Sequence, residues 1–396
     1  MTETWQSRPA WLSFAKARAS WAQVGGGTPE TYGTTLSYQA STVQHLGQPI
    51  MSISGNTIPN ILKPYTSTTM EAGIDLRLFN NRIGADFTIY DRTTTDDIVE
   101  ASLPTTSAWN DISLNVGKVQ NRGVELMLTG TPVTSRTGLN WDVVFNMAYN
   151  KNKVVEISDE MDITNISLSE VRTGNGWVYH WKGQPFGMVT GYEMMRNADG
   201  QIVYNNVNGF PMQSELKALG CGVPPLNISL TNNFTYKNFS LSLFLDSKWG
   251  GVMYAATNAY GTFYGLHKNT VANGVRETGV TVSGVDQNGN AYNNVINAQE
   301  YYRNIAFSIT DQYVYDADFI KLRQINFGYS VPRTLLGNMP FQSASISFVA
   351  RNLFLVYSKM DNVDPESNYN TENGQGLENF GVPPTRSYGF SLSVSF

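Results

Sequence analysis

The sequence predicts an all-β fold: a transmembrane antiparallel β-barrel segment of about ten strands with long extracellular loops. Three observations predict it. Residues 386–396 put Tyr388, Phe390, Leu392, Val394 and Phe396 on one face and Gly389 with four serines on the other. That two-residue period is a strand's, and roughly 9 to 11 such residues, tilted, cross a bilayer. Charged residues make up 15% of the 396, while aromatics reach 12% and glycine contributes 35. Few charges suit a lipid-facing surface, Tyr and Trp suit interfacial girdles, and Gly and Asn suit many turns. Tight turns also alternate with long polar excursions, as when short turns lie on the periplasmic side and long loops outside.

Working back from Phe396, strands are predicted over 12–24, 68–79, 82–100, 117–131, 139–156, 226–236, 239–250, 316–331, 341–356 and 386–396. In 139–156 the stripe Trp141, Val143, Phe145, Met147, Tyr149 opposes Asp142, Val144, Asn146, Ala148, Asn150. The next two strands form a hairpin, with Leu226, Ile228, Leu230 and Phe234 on one face of the first and Phe239, Leu241, Leu243 and Leu245 on one face of the second. Around Lys321–Tyr329 the alternation slips, which predicts a bulge. The periplasmic turns are Asn80-Asn81, Pro132–Gly138, Tyr236-Lys237-Asn238 and Pro332–Pro340, all rich in turn formers. The outer loops are 25–67, 101–116, 157–225, 251–315 and 357–385. Loops so long are uncommon in a compact domain unless they carry function.

No stretch approaches the roughly 18 apolar residues of a membrane helix. The net charge of −5 argues against a nucleic-acid partner, because phosphate binding needs a basic patch. Cys221 is the only cysteine, so no intrachain disulfide forms, and the compartment stays open on that point. Met1–Ala10 lacks the apolar core of a signal peptide. An exported barrel does not begin this way, so the expectation is a start further upstream or the C-terminal part of something larger.

His45, His180 and His267 fall in separate outer-loop positions without metal-ligand spacing, and no nucleophile elbow or P-loop appears. The chain is therefore read as no enzyme, with no cofactor. Asp286, Asn288 and Asn290 offer alternating oxygen ligands, a weak calcium candidate beside the alternative of a glycine turn at a loop tip. The acidic loop of Asp361, Asp364 and Glu366 raises the same two readings.

Several segments, in this order, resemble the C-terminal barrel of SusC/RagA-type TonB-linked outer-membrane transporters. They are 11–25, Lys63-Pro64-Tyr65 leading into Glu71-Ala72-Gly73-Ile74-Asp75, the 115–125 run containing Asn121-Arg122-Gly123, 316–323 with Phe327-Gly328-Tyr329, 350–354, Asp364-Pro365-Glu366, and Pro383-Pro384-Thr385-Arg386. The resemblance implies a barrel of about 22 strands around an N-terminal plug. It further implies a SusD-like surface lipoprotein as lid, a glycan or peptide substrate, and energy delivered through TonB by a region outside this sequence. Signal peptide, TonB box, plug and the earlier strands are expected to be absent. Alone, an open sheet would expose unpaired backbone groups to hydrocarbon, so the chain by itself is expected not to transport. Tyr388, Phe390 and Phe396 would serve as the barrel-assembly signal.

Loop aromatics are the substrate lead. Trp177, Tyr179, Trp181 and Phe186 share one loop; Tyr254, Tyr260, Phe263, Tyr264, Tyr301 and Tyr302 share another. Amphipathic rings suit sugar or peptide contact, a lipoprotein-lid interface, or packing within the loop. The rival reading is a secreted or surface soluble β-rich carbohydrate-binding protein using the same rings.

Overall fold

The computed structural model describes residues 9–27, 35, 38–53, 57–58, 61–107, 109, 111–157, 163–172, 175–337, 339–368 and 374–396. Residues 1–8, and parts of four of the predicted outer loops, lie outside them. One large sheet dominates. Ten of its strands follow one path in chain order: β1 (Leu12–Gly26), β2 (Tyr65–Leu78), β3 (Ile83–Ser102), β4 (Asp111–Val133), β5 (Leu139–Glu156), β6 (Leu226–Tyr236), β7 (Phe239–Trp249), β8 (Phe319–Ser330), β9 (Ser343–Ser358) and β10 (Ser387–Ser395). Consecutive strands on this path pair antiparallel, and β1 and β10 end it without closing on one another.

The register sorts every strand into two faces. In β6 and β7, Leu230 opposes Leu245, Phe234 opposes Leu241 and Tyr236 opposes Phe239. The same parity carries outward through Phe327, Ile346, Phe348, Phe390 and Leu392 in one direction. In the other it runs through Phe145, Leu128, Phe87, Ile74 and Ala17. These side chains form the lipid face, and many are open at the surface, such as Phe390 at 78% and Leu392 at 72%. Between them Asp246, Ser229, Asn146, Glu125, Asp86 and Arg18 face the interior. Two grooves of about 490 and 550 Å³ open on the outer face; Ile89, Val124 and Tyr149 with Asp91, Arg122 and Lys151 line the first, and Phe79, Ile83, Leu128 and Phe145 line the second.

Two of the four expected turns are tight, 79–82 between Leu78 and Ile83 and Lys237-Asn238 between Tyr236 and Phe239, while the connection from Ser330 to Ser343 is longer and holds the short helix Arg333–Leu336. Phe79, Asn80 and Asn81 take φ of 52°, 56° and 65°, and Lys237 takes 52°. Two-residue hairpins need such left-handed φ, which Asn tolerates better than Phe or Lys. The register breaks between Leu322 and Gln324, opposite Phe244/Leu245, so the slipped alternation is a bulge centred on Arg323.

The predicted 101–116 loop is shorter than expected, since β3 and β4 pair out to Ser102 and Asp111. Strands β3 and β4, of 20 and 23 residues, outrun the roughly 9 to 11 needed to cross, so their outer ends stand above the bilayer. On that base the other outer loops interlock instead of running as separate polar excursions. Val252–Ala255 pairs with Val314–Asp316 and, in parallel, with Leu377–Glu378, joining the 251–315 and 357–385 loops. Val203–Tyr204 pairs in parallel with Val280–Asp286, joining 157–225 to 251–315. Asn165–Glu170, Trp177–Trp181, Met188–Gly191 and Lys217–Cys221 make a further sheet. Such runs are too short to cross a membrane but long enough to pair, and they enclose a core of Val178, Val189, Tyr254, Ala256, Ala259, Tyr313 and Leu377. Buried Glu378 reaches the helix Ala256–Phe263, accepting from Thr257 N at 3.0 Å and Thr257 Oγ1 at 2.7 Å. A carboxylate at a helix N-terminus satisfies free N–H groups and opposes the positive dipole end.

Candidate functional site

The cap is fastened to the barrel mouth by ion pairs at the outer ends of β7 and β8. Lys321, its side chain 6% exposed, donates to both oxygens of Asp364 at 2.7 and 2.8 Å and to Glu366 at 2.8 Å. Arg323, turned inward by the bulge, donates to Asp246 Oδ2 at 2.7 Å and Glu366 Oε1 at 2.6 Å. Lys248 adds a contact to Glu366 at 3.4 Å. Burial pushes the Glu366 carboxyl up, but hydrogen bonds and charge from Arg323 and Lys321 outweigh it and hold the group at about 2. Asp364 and Glu366 therefore spend their oxygens on cations of the chain. Asp361 instead pairs with Lys268 at 2.5 Å.

The other ion candidate is a loop tip. Asp286 Oδ1 accepts from Asn288 N at 2.9 Å and Asn290 N at 2.8 Å, and Oδ2 from the Asn290 side-chain amide at 3.2 Å. The Asn290 backbone N–H, then its side-chain amide, hold this carboxyl below its ordinary range. Among the described residues no group of three or more His, Cys, Asp and Glu is placed to hold a metal.

His180 is fully buried against Phe186, ring centres 4.0 Å apart, and burial lowers it to about 4. His267 is buried too and likewise lowered by burial; both accept a backbone N–H on Nδ1. At neutral pH His180 is therefore uncharged. His45 stands exposed at the end of Tyr38–His45. Burial raises the Cys221 thiol, so it is a poor nucleophile.

The loop aromatics separate into two clusters with different exposure. Trp177, Tyr179 and Trp181 alternate along one strand and are half-buried, while Val178 and His180 point into the core. Trp177 meets Tyr192 edge-on, and Trp181 donates to Thr190 Oγ1 at 3.0 Å. The second cluster gathers Tyr260, Phe263, Tyr264, Phe307 and Phe380 in edge-to-face contacts, with Tyr264 66% exposed at its rim. Tyr254 is completely buried in the core and is packing. Tyr301 packs beside Tyr204, Val282 and Ile296, and burial pushes its phenol up to about 12. Tyr302 donates to Asn269 O at 2.8 Å.

On the inner wall, Arg18, Asp86, Thr88, Glu125, Asn146 and Asp246 line a concavity of about 370 Å³. Arg18 donates to Asp86 Oδ2 at 3.0 Å and also to Thr88. The Asn115–Lys63 pair, with Lys63 N donating to Asn115 Oδ1 and Asn115 Nδ2 to Lys63 O, each at 2.8 Å, ties the entry to β2 onto β4. Nothing in sequence reasoning marked Lys248 or Asp246 as functional. Their partners Lys321, Arg323, Asp364 and Glu366 were in view only as separate motifs.

An apolar outer face, a polar inner face and an interlocked cap at one end define an outer-membrane β-barrel wall. Residues 4–265 match the family described as TonB dependent receptor-like, beta-barrel, and the chain belongs to that family. It is 26% identical over 414 residues to TonB-dependent receptor P3 of Formosa agariphila, covering 96% of this chain and 39% of that protein. To TonB-dependent receptor SusC of Bacteroides thetaiotaomicron it is 23% identical over 355 residues, covering 85% and 32%. Among solved structures, the RagAB peptide transporter superposes with a TM-score of 0.74 at 18% identity, over 100% of this chain and 42% of that one. The chain thus spans about two fifths of the length of such relatives. It is a β-barrel segment of that family, a family of the outer membrane, and is similar to SusC and to the RagAB transporter.

Proposed function

We propose that the chain supplies wall and external cap to a TonB-dependent nutrient importer that takes up a glycan or peptide under a SusD-like surface lipoprotein. The carrying observation is the pairing of a lipid-type outer face across β1–β10 with a cap bearing clustered aromatics at the outer mouth. That outer face also favours this reading over a soluble carbohydrate-binding protein, because such a protein would bury it. RagAB is described as a peptide importer, and likeness to it supports the transport reading without choosing the cargo. The accessible rings, exposed Tyr264 above all and then the half-buried Trp177, Tyr179, Trp181, Phe186, Tyr260, Phe263 and Tyr302, are the contacts for substrate or lid; Tyr301 serves at most through packing. TonB would act through parts of the polypeptide beyond this segment, and Tyr388, Phe390 and Phe396 would present the barrel-assembly signal. Uptake of labelled oligosaccharide and oligopeptide pools by cells carrying or lacking the gene tests the reading. Gene-dependent uptake abolished by a protonophore is expected; uptake indifferent to both gene and protonophore would sink it.

A further inference from the structure

The cap holds a cavity of about 650 Å³ beside the second aromatic cluster, and its chemistry selects for charge. Two guanidinium groups, Arg276 and Arg303, line it together with Tyr264, Tyr302, Asn297 and Gln299. Among the described residues no carboxylate lines it. The helix Ala298–Ser308 begins at its wall, adding the positive end of a dipole. The two arginines differ in commitment. Arg276 is occupied with the chain, donating to Thr270 O at 3.1 Å and Thr270 Oγ1 at 3.2 Å, and also to Gly265 O, so it shapes the 265–270 turn. Arg303 lies over the Phe263 ring at 4.8 Å, and among the described residues no carboxylate pairs with it. A guanidinium seated over a ring at this distance is attracted to its face and keeps N–H groups for a planar anion.

We propose that this cavity binds a carboxylate-bearing unit of the imported oligomer, held by Arg303 with Tyr264 as the flat apolar contact. The inference builds on the importer reading and narrows its cargo to acidic oligomers. The carboxylate has two chemical sources, a uronic acid in a glycan or an acidic side chain or free C-terminus in a peptide.

Calorimetric binding to the detergent-purified full-length polypeptide tests the site apart from transport, so absent binding and absent uptake are distinct failures. The probes are an oligogalacturonate, an acidic tripeptide, and neutral counterparts of each, esterified or amidated. Saturable binding of at least one acidic probe is expected, weakening with added salt, with its neutral counterpart at least about tenfold weaker. Arg303→Gln, at an exposed position whose fold heat-modifiable migration checks, should lose about tenfold or more, and Arg303→Lys should recover part of it. Whichever acidic probe binds names the source. Binding of neither, equal binding of the neutral counterparts, or undiminished binding by Arg303→Gln overturns the proposal.

Discussion

Lys321 shows what a single buried charge does at the junction of wall and cap. With its ammonium almost out of solvent between Asp364 and Glu366, Lys321→Met would leave two carboxylates crowded with one fewer cation. Breaking a buried pair from one side costs about 3–5 kcal/mol. The variant should fold its barrel yet show faster proteolysis at residues 359–368, read by mass spectrometry; an unchanged cleavage rate would remove the fastening role. Glu366 makes the junction acid-sensitive, and the sign follows from its lowered value. A carboxyl held at about 2 against an ordinary 4.5 contributes stability that is fully present above 4.5 and is lost as pH falls toward 2. Pepsin cleavage of the segment should therefore rise through that window in the wild type and shift little in Glu366→Gln. At Gly123 the constraint is steric, because a Cβ there would overlap the Tyr90 ring lying across it from β3. Gly123→Val should cost about 1–3 kcal/mol of barrel stability, lowering the temperature of heat-modifiable migration. Retention of the wild-type temperature would mean that Tyr90 moves aside freely.

Strands crossing the bilayer were legible because lipid imposes a strict two-residue period, as in Leu226–Tyr236, whose observed bounds equal the expected ones. The bulge was legible for the same reason: one extra residue at Arg323 breaks the period. The cap was not, because short pairings such as Val203–Tyr204 with Val285–Asp286 join residues about eighty apart and leave no local signature. Motif residues that carried the family likeness turn out to meet in space. Lys321 and Arg323 hold Asp364 and Glu366, while Gln120 and Arg122 both donate to Asp91. Their spacing in sequence could not say so. Of the ring clusters, sequence found the members but could not separate buried Tyr254 from exposed Tyr264, since both sit in aromatic-rich loops. At the C-terminal strand, Phe396 contacts Phe341 edge-on with ring centres 5.3 Å apart and stays 77% exposed. Phe396→Ala should lower the folded, heat-modifiable fraction of the full-length protein in membranes, whereas an unaltered fraction would argue against an assembly role.

For the molecule as a whole, the faces and ends of the sheet assign sides of the membrane. The hairpin turns at Asn80 and Lys237 share one end with the terminus of β10, and the interlocked cap occupies the other. An open sheet leaves rows of unpaired backbone groups at β1 and β10, each costly in hydrocarbon, so within the membrane these edges must either pair with other strands or close on one another. The most direct measurement of this arrangement is labelling of single cysteines by a membrane-impermeant maleimide on intact cells, in a full-length protein with Cys221→Ser. Cysteines at the exposed cap positions Val207 and Val382 should label at once, and one at Asn80 only after the outer membrane is permeabilised. Rapid labelling at Asn80 with protection at Val207 and Val382, or equal labelling of all three on intact cells, would contradict the topology.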